Sequence, residues 1–317
     1  MNYTIGDINF KDLTDEDYTH LHDFLMANIS PVAGYSPNSV FAWNKAFDYG
    51  WNFISDRTLL IACCKCLEDG CSLLCPVGEF PGSDSQVLID NIRKEKRPVK
   101  ILAASDYFIK KNAEFIKHFN IAEDRNQSNY IYASSDLAEL PGGKYKKKRN
   151  LIHQAEGLYP WTVEELTART LPECIEFLIQ QDSEVEKSYN TDEIPEGIMK
   201  ERLVIKYALE NFSRPGNRGV IIRIDGRISA LSVYEIIIFM GETMAQVHFE
   251  KALRSRKGLY QVINHETAKI IHGLGVKKIN REEDLGDEGL RKAKLSYYPV
   301  EMIRAWNLES ILIGNNS

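Results

Sequence analysis

Directly after the strand-like run VKKIN, the stretch NREEDLGDEG sets five carboxylates, Glu282, Glu283, Asp284, Asp287 and Glu288, within seven positions. Acyl transfer to an amine needs a base to remove the ammonium proton, and a carboxylate at a strand end is well placed for it. Glu283 and Asp284 are the leading candidates. The same oxygens suit Mg²⁺ or Ca²⁺, yet the D-x-D-x-D-G order of a calcium loop is missing, and no metal site is expected. They equally suit the start of a following helix, where carboxylates cap free N–H groups and meet the positive end of the dipole. In QVHFEKA, Glu250 interrupts an apolar strand, and His248 stands two residues before it on the same face. Carboxylates are rarely buried without a partner. The two read either as acid–base machinery facing a cleft or as a pair at a wet sheet edge. Further on, EGLRKAKLSYY drawn as a helix puts Arg291, Lys294 and Tyr298 on one face at i, i+3 and i+7. A lysine near the start of that helix can meet a phosphate or a developing oxyanion; the plain alternative is a lysine on a solvated surface.

The opposite charge gathers at the middle of the chain. PGGKYKKKRNLIHQAEGLYP holds Lys144, Lys146, Lys147, Lys148 and Arg149 within six positions, in a protein of net charge -6. Such a run is either an exposed linker helix or a site for an anionic partner. As a helix it faces two ways, with Lys146 and Arg149 on one side and Lys148, Ile152 and Ala155 on another. An arginine with a neighbouring amide suits a phosphate or carboxylate. The pI near 5.7 argues against general coating of nucleic acid, which depends on phosphate neutralisation. Five of the six cysteines crowd into IACCKCLEDGCSLLC (Cys63, Cys64, Cys66, Cys71 and Cys75). That segment reads as two strands around a tight turn, so packing of small buried side chains is favoured over a metal site. No Ser/His/Asp order, G-x-S-x-G elbow, P-loop or dinucleotide fingerprint is present.

The elements that must position these residues follow from periodicity. A length of 317 residues and 44% hydrophobic composition favour two domains of ordinary size. No apolar run approaches the roughly 20 residues of a membrane span, and MNYTIGDINF lacks a signal-peptide pattern. The expectation is a cytoplasmic protein without integral membrane association. Thr14 and Asp17 stand at capping-box spacing before a helix carrying Leu21, Phe24 and Leu25. Strands, a helix near DSQVLIDNIRKEK, the strand VKILAAS, a helix over YFIKKNAEFIKHF and a strand running into a turn at NYIYASSDLAEL complete a mixed α/β first half. After the basic run the order is strand (WTVEELT), two helices, three antiparallel strands, helix, strand, helix, strand. Asp225-Gly226 makes the first hairpin turn.

That order resembles an N-acetyltransferase (GNAT) domain, and the first half resembles a looser copy of it. The expected fold is therefore mixed α/β, with two tandem acyltransferase-like domains over residues 1–140 and 161–317 and a basic connecting helix over 141–160. KYKKKRNLIHQAEGLYP, QVHFEKALRSRKGLYQVINHETA and INREEDLGDEGLRKAKLSYYPV are similar to segments of the bacterial phosphatidylglycerol lysyltransferase C-terminal family. GLRKAKLSYYP is also similar to the G-L-x-x-F-K pattern of Fem-type transferases, which use aminoacyl-tRNA. The resemblance implies a role for Lys294, which matches the lysine of that pattern, and for Lys148, Arg149 and Asn150, which match a K-R-N run. It implies an acyl- or aminoacyltransferase with acyl-CoA or aminoacyl-tRNA as donor and an amine or hydroxyl acceptor. The alternative is a non-catalytic module that binds phosphate, RNA or a nucleotide. One departure stands out. Coenzyme A users carry Q/R-x-x-G-x-G/A after the fourth strand, so that backbone N–H groups can hold pyrophosphate. Here the stretch is RSRKGLY, with Tyr260 in a small-residue position. Arg254, Arg256 and Lys257 remain as side-chain grips for an anion.

Overall fold

Thr14 caps the first helix as its spacing predicts. In the computed structural model, which describes residues 3–65, 71–187 and 194–311, the Thr14 N–H donates to Asp17 Oδ2 at 2.8 Å. A single 3-10 turn then leads into the helix Tyr18–Ala27, whose Leu21 and Leu25 are buried. A second helix, Pro37–Phe47, has no counterpart in the sequence reading. Its signal was local: Ser36 accepts from the Ser39 N–H, and Pro37 occupies the first turn, where its missing N–H costs nothing.

The chain divides into two compact units. The first comprises residues up to Asn129, Glu283–Asp287 and the chain from Met302 onward. Its strands are β1 (Tyr3–Ile5), β2 (Ile8–Asp12), β3 (Tyr49–Ser55), β4 (Thr58–Cys63), β5 (Cys71–Leu74), β6 (Val77–Gly78), β7 (Val99–Ser105) and β8 (Phe119–Glu123). They form a mixed sheet in the order β1-β2-β3-β4-β5-β7, with β6 on β4. β5 and β7 are parallel, and the other pairs antiparallel. A strand from the far end of the chain, Ala305–Ser310, pairs antiparallel with both β7 and β8 and so sits between them. Its Ser310 hydroxyl accepts from the Val99 N–H at 2.9 Å. The helix expected over residues 107–119 is two short helices, Asp106–Lys111 and Ala113–Ile116, broken at Asn112. The Asn112 side chain donates to the Phe108 carbonyl, which its own N–H also takes. That local bond competes with helix continuation. Of the clustered cysteines, Cys66 lies outside the described residues, Cys63 is disulfide-bonded, and Cys64 and Cys75 carry free thiols.

The second unit comprises Tyr130–Glu282 and Glu288–Glu301. Its sheet takes β9 (Asn129–Ala133), β10 (Trp161–Glu165), β11 (Arg218–Ile224), β12 (Arg227–Phe239), β13 (Glu242–Ala252), β14 (Lys278–Asn280) and β15 (Glu301–Ile303), in the order β10-β11-β12-β13-β14-β9-β15. Ala305–Ser310 is then β16. The expected sequence of strand, two helices, three antiparallel strands, helix, strand, helix and strand is present. Asp225 (φ 52°) and Gly226 (φ 75°) form the β11–β12 turn in the left-handed conformation that a two-residue hairpin requires. The stretch after β9, read as a turn, is a helix over Ser134–Glu139. The basic run forms the helix Lys146–Leu158, which belongs to this unit and buries Ile152 and Ala155. The last helix ends at Leu295. Tyr298 therefore lies beyond it, at φ 55°, and does not continue the face of Arg291 and Lys294. Among the described residues no helix is long and apolar enough to cross a membrane.

Candidate functional site

β13 outruns its neighbour. It pairs in parallel with β14 only through Met244, Ala245 and Gln246, while its other edge stays on β12 as far as Ala252. Just past the point where β14 stops, the ladder slips: Val233 faces Phe249 and Tyr234 faces Val247, so His248 is the extra residue of a bulge. Bulges bend a strand and re-aim a side chain.

The His248 ring lies between two carboxylates. Nε2 is 2.9 Å from Glu235 Oε1, and Nδ1 is 2.8 Å from Glu282 Oε1. The three side chains are 6%, 2% and 13% exposed. Burial pushes the imidazole down, but the charges and hydrogen bonds of Glu235 and Glu282 outweigh it and hold the ring up at about 10. It is an imidazolium at neutral pH, donating from both nitrogens. The Gln246 amide also donates to Glu282 Oε1, at 3.2 Å. Glu282 is held at φ 58°, a conformation that costs a non-glycine residue about 1–3 kcal/mol.

Glu250 has other partners. Its Oε2 accepts from Arg281 Nη2 at 2.5 Å, and its Oε1 accepts from the Asn264 amide at 3.1 Å. His248 and Glu250 therefore form two adjacent ion clusters instead of one pair, because the bulge falls on His248. Arg281 lies 5.1 Å from the Tyr297 ring and 5.8 Å from Tyr132. Its Nε and Nη1 are buried without a hydrogen-bond acceptor among the described residues. Buried donors of that kind are normally satisfied, and a substrate oxygen would complete them.

Lys294 joins this cluster from the last turn of the Glu288–Leu295 helix, not from its start. It is buried, and its Nζ donates to the Arg281 carbonyl at 2.6 Å. The Tyr132 hydroxyl fixes the turn by donating to the Lys294 carbonyl at 2.8 Å. Lys148 is half-buried; it donates to Ser296 Oγ at 2.6 Å, with its Nζ 3.9 Å from the Tyr297 ring centre. Burial, and then the charge of Arg281, lower its ammonium to about 8. Arg291 and Tyr298 line a shallow, open cleft together with Glu288, Lys292, Leu295 and Ser296.

The remaining candidates sit elsewhere. Asp284 belongs to the first unit, fully buried, 3.3 Å from Arg125 Nη1 and accepting the Gly286 N–H at 3.0 Å. Glu283 is half-buried on the same stretch. Arg149 donates to the carbonyls of Leu140 and Gly142, closing the preceding turn, and Asn150 is exposed. In the RSRKGLY loop, Arg254 and Lys257 are exposed, and Arg256 stands 3.8 Å from Asp225. Ser255 is occupied: its N–H and hydroxyl donate to the Glu184 carboxylate at 3.2 and 2.5 Å. Gly258, at φ 83°, packs so tightly that a Cβ would stand 2.5 Å from the Leu151 carbonyl oxygen. Glu235, Gln246, Arg281 and Tyr297 are candidate residues that the sequence reading did not select, and Glu282 stood there only as one of five carboxylates, behind Glu283 and Asp284. Among the described residues no group of three or more His, Cys, Asp or Glu could hold a metal ion.

Relatives place this geometry. The chain is 32% identical to a conserved protein of unknown function from Bacteroides thetaiotaomicron VPI-5482, covering 95% of this chain and 99% of that one, with a TM-score of 0.80. It shares the fold of L-PGS from Bacillus licheniformis (13% identity, 95% and 93% covered, TM-score 0.64). It also shares that of FemX (10% identity, 96% and 98% covered, TM-score 0.54). Among curated proteins none matches the sequence. The family model described as "Phosphatidylglycerol lysyltransferase, C-terminal" matches residues 43–308, and the chain belongs to that family.

Proposed function

We propose that this protein moves an aminoacyl group from the 3′ end of a tRNA to an acceptor amine or hydroxyl, at the point where β13 leaves β14. The observation that carries the proposal is the buried cluster there: two carboxylates around a charged imidazole, beside an arginine with two unfilled donors and a buried lysine. Acyl transfer uses these parts. The acceptor attacks the ester carbonyl, a C–N or C–O bond forms, and the bond to the ribose oxygen breaks. Glu282 takes the acceptor's proton while His248 holds that carboxylate in place, and Glu282 passes that proton to the ribose oxygen as it leaves. Arg281 and Lys294 supply positive charge where the carbonyl oxygen becomes an oxyanion, a contribution worth about 3–4 kcal/mol per donor in other acyl transfers. Membership in a lysyltransferase family supports an aminoacyl cargo.

Acyl-CoA is disfavoured as donor. The Ser255 N–H and hydroxyl, at the loop where pyrophosphate would be gripped, are bonded to Glu184. A carboxylate in that place repels a second anion. The test is single-turnover incubation with a panel of radiolabelled aminoacyl-tRNAs and acyl-CoAs plus amine and hydroxyl acceptors. One or more aminoacyl esters should be consumed only with acceptor present, and Lys294→Met should abolish the turnover. Consumption of an acyl-CoA with every aminoacyl-tRNA left intact would overturn the reading.

A further inference from the structure

Lys148 is the one lysine of the basic run that turns inward. Lys144, Lys146 and Lys147 are exposed, whereas Lys148 is half-buried. Other lysines of this unit that leave solvent meet a carboxylate: Lys251 meets Glu201 at 2.8 Å, and Lys144 meets Asp136 at 3.1 Å. Among the described residues Lys148 has a hydroxyl and a ring instead. Its Nζ donates to Ser296 Oγ at 2.6 Å, and that hydroxyl gives its own proton to the Ala293 carbonyl at 2.6 Å. Nothing that Nζ touches carries a negative charge.

The charges around it are positive in excess. Lys146, Lys147 and Arg149 stand on its own helix, and Lys148 lies in the first turn, at the positive end of the helix dipole. Arg281 follows β14, with Lys294 bonded to its carbonyl. The last helix adds Arg291, Lys292 and Glu288 along the cleft that Ser296 also lines. The nearer carboxylates are engaged, Asp136 by Lys144 and Glu250 by Arg281. The Tyr297 face, 3.9 Å from Nζ, favours the ammonium. Burial, and then the charge of Arg281, oppose it and leave it at about 8. Roughly a quarter of Lys148 is then free amine at pH 7.5, against about 0.1% of an ordinary lysine. A free amine is a nucleophile. The ring that carries it lies 5.1 Å from Arg281, so a carbonyl met by Arg281 lies close to Nζ.

We propose that Lys148 is a covalent modification site, which takes an acyl group on Nζ from a small acyl phosphate. The surrounding cations draw such an anion in. The amine attacks the carbonyl, a C–N bond forms and the C–O bond to phosphate breaks. Phosphate leaves with that electron pair, and the proton lost by nitrogen ends on it. The amide that remains is neutral, so the modification removes a positive charge beside Arg281. The site itself rests on the surroundings of Nζ; its bearing on transfer rests on the aminoacyl-transfer reading.

The probe is acetyl phosphate, given in trace amounts to the full chain between pH 6.5 and 9.5, with acetylation of each lysine read by mass spectrometry. The amide of Nα-acetyl-lysine serves as a standard in the same tube. At pH 7.5 Lys148 should be acetylated at least tenfold faster than Lys147, the gain in free amine outweighing the nucleophilicity lost with basicity. Its rate should level off above about pH 8, while that of the standard keeps climbing. Acetylated protein should lose at least tenfold in single-turnover aminoacyl transfer. Lys148→Arg, which has no amine there to acylate, should keep its own untreated rate through the same treatment. Labelling of Lys148 no faster than Lys147, or in step with the standard up to pH 9.5, overturns the site. Equal loss of transfer by treated Lys148→Arg overturns its bearing on the reaction. The expected labelling without consumption of any aminoacyl ester by untreated protein would keep the site and refute the transfer reading.

Discussion

Replacing His248 by glutamine tests the charge at the centre of the site. The wild-type ring is held at about 10 by Glu235 and Glu282, against an ordinary value of 6.5. That difference corresponds to a preference for the charged ring of about 5 kcal/mol in the folded state. Because the folded value is raised, the stabilisation is fully present below pH 6.5 and is lost as pH climbs from there to about 10. A glutamine fills much of the space but leaves two buried carboxylates without their cation. Breaking a buried pair in this way costs about 3–5 kcal/mol. His248→Gln should therefore be less stable than wild type by that amount at pH 6, and the gap should narrow steadily up to pH 10. The comparison must be between the two proteins. Lys148, lowered to about 8, works in the opposite sense between pH 8 and its ordinary 10.5, and its contribution is common to both. Urea unfolding at unit steps from pH 6 to 10 measures the gap. A gap that stays constant across that range would show that the ring is not charged by its neighbours. A variant as stable as wild type at pH 6 would show that the two carboxylates do not need it.

Lys294→Met should cut single-turnover aminoacyl transfer at least a hundredfold, and circular dichroism will show whether the fold survives the unsatisfied Arg281 carbonyl. Gly258→Ala should destabilise by about 1–3 kcal/mol, because its φ of 83° is costly for alanine and the new Cβ meets Leu151; thermal unfolding reads this directly. Arg149→Ala should cost about 1 kcal/mol of stability through the carbonyls it closes and leave the rate of transfer unchanged in the single-turnover assay.

Elements whose signals are local were legible in the sequence. The Thr14 cap, the Asp225-Gly226 turn and the helix Leu171–Glu186, which takes Pro172 in its first turn, each depend on residues adjacent in the chain. Pro37–Phe47 was equally local, and Ser36 with Pro37 announced it. The site is different in kind. Glu250 stood out as a carboxylate in an apolar strand, and Glu235 in ISALSVYEIII offered the same signal. Which carboxylate meets His248, however, depends on a bulge between β12 and β13, and no periodicity in either strand marks a register slip. Glu282 was ranked below Glu283 and Asp284 within one acidic run. Only the three-dimensional path turns Glu282 toward His248 and Asp284 toward Arg125. Lys294 was found by resemblance, with its place on the helix misjudged. Its burial comes from the Tyr132 and Arg281 carbonyl contacts, both remote in sequence.

The position of β16 governs the order in which this chain can mature. The first unit's sheet has an opening between β7 and β8 that Ala305–Ser310 fills. On a ribosome adding roughly 5–20 residues per second, the roughly 190 residues from the end of β8 to the end of β16 take about 10–40 s to appear. Through that interval two strand edges wait unpaired, the condition under which nascent chains associate with one another. A nascent chain of this protein should therefore engage holding chaperones until its last strand emerges. Cutting the gene after residue 301 should yield an insoluble product, although every helix of the first unit has by then been made.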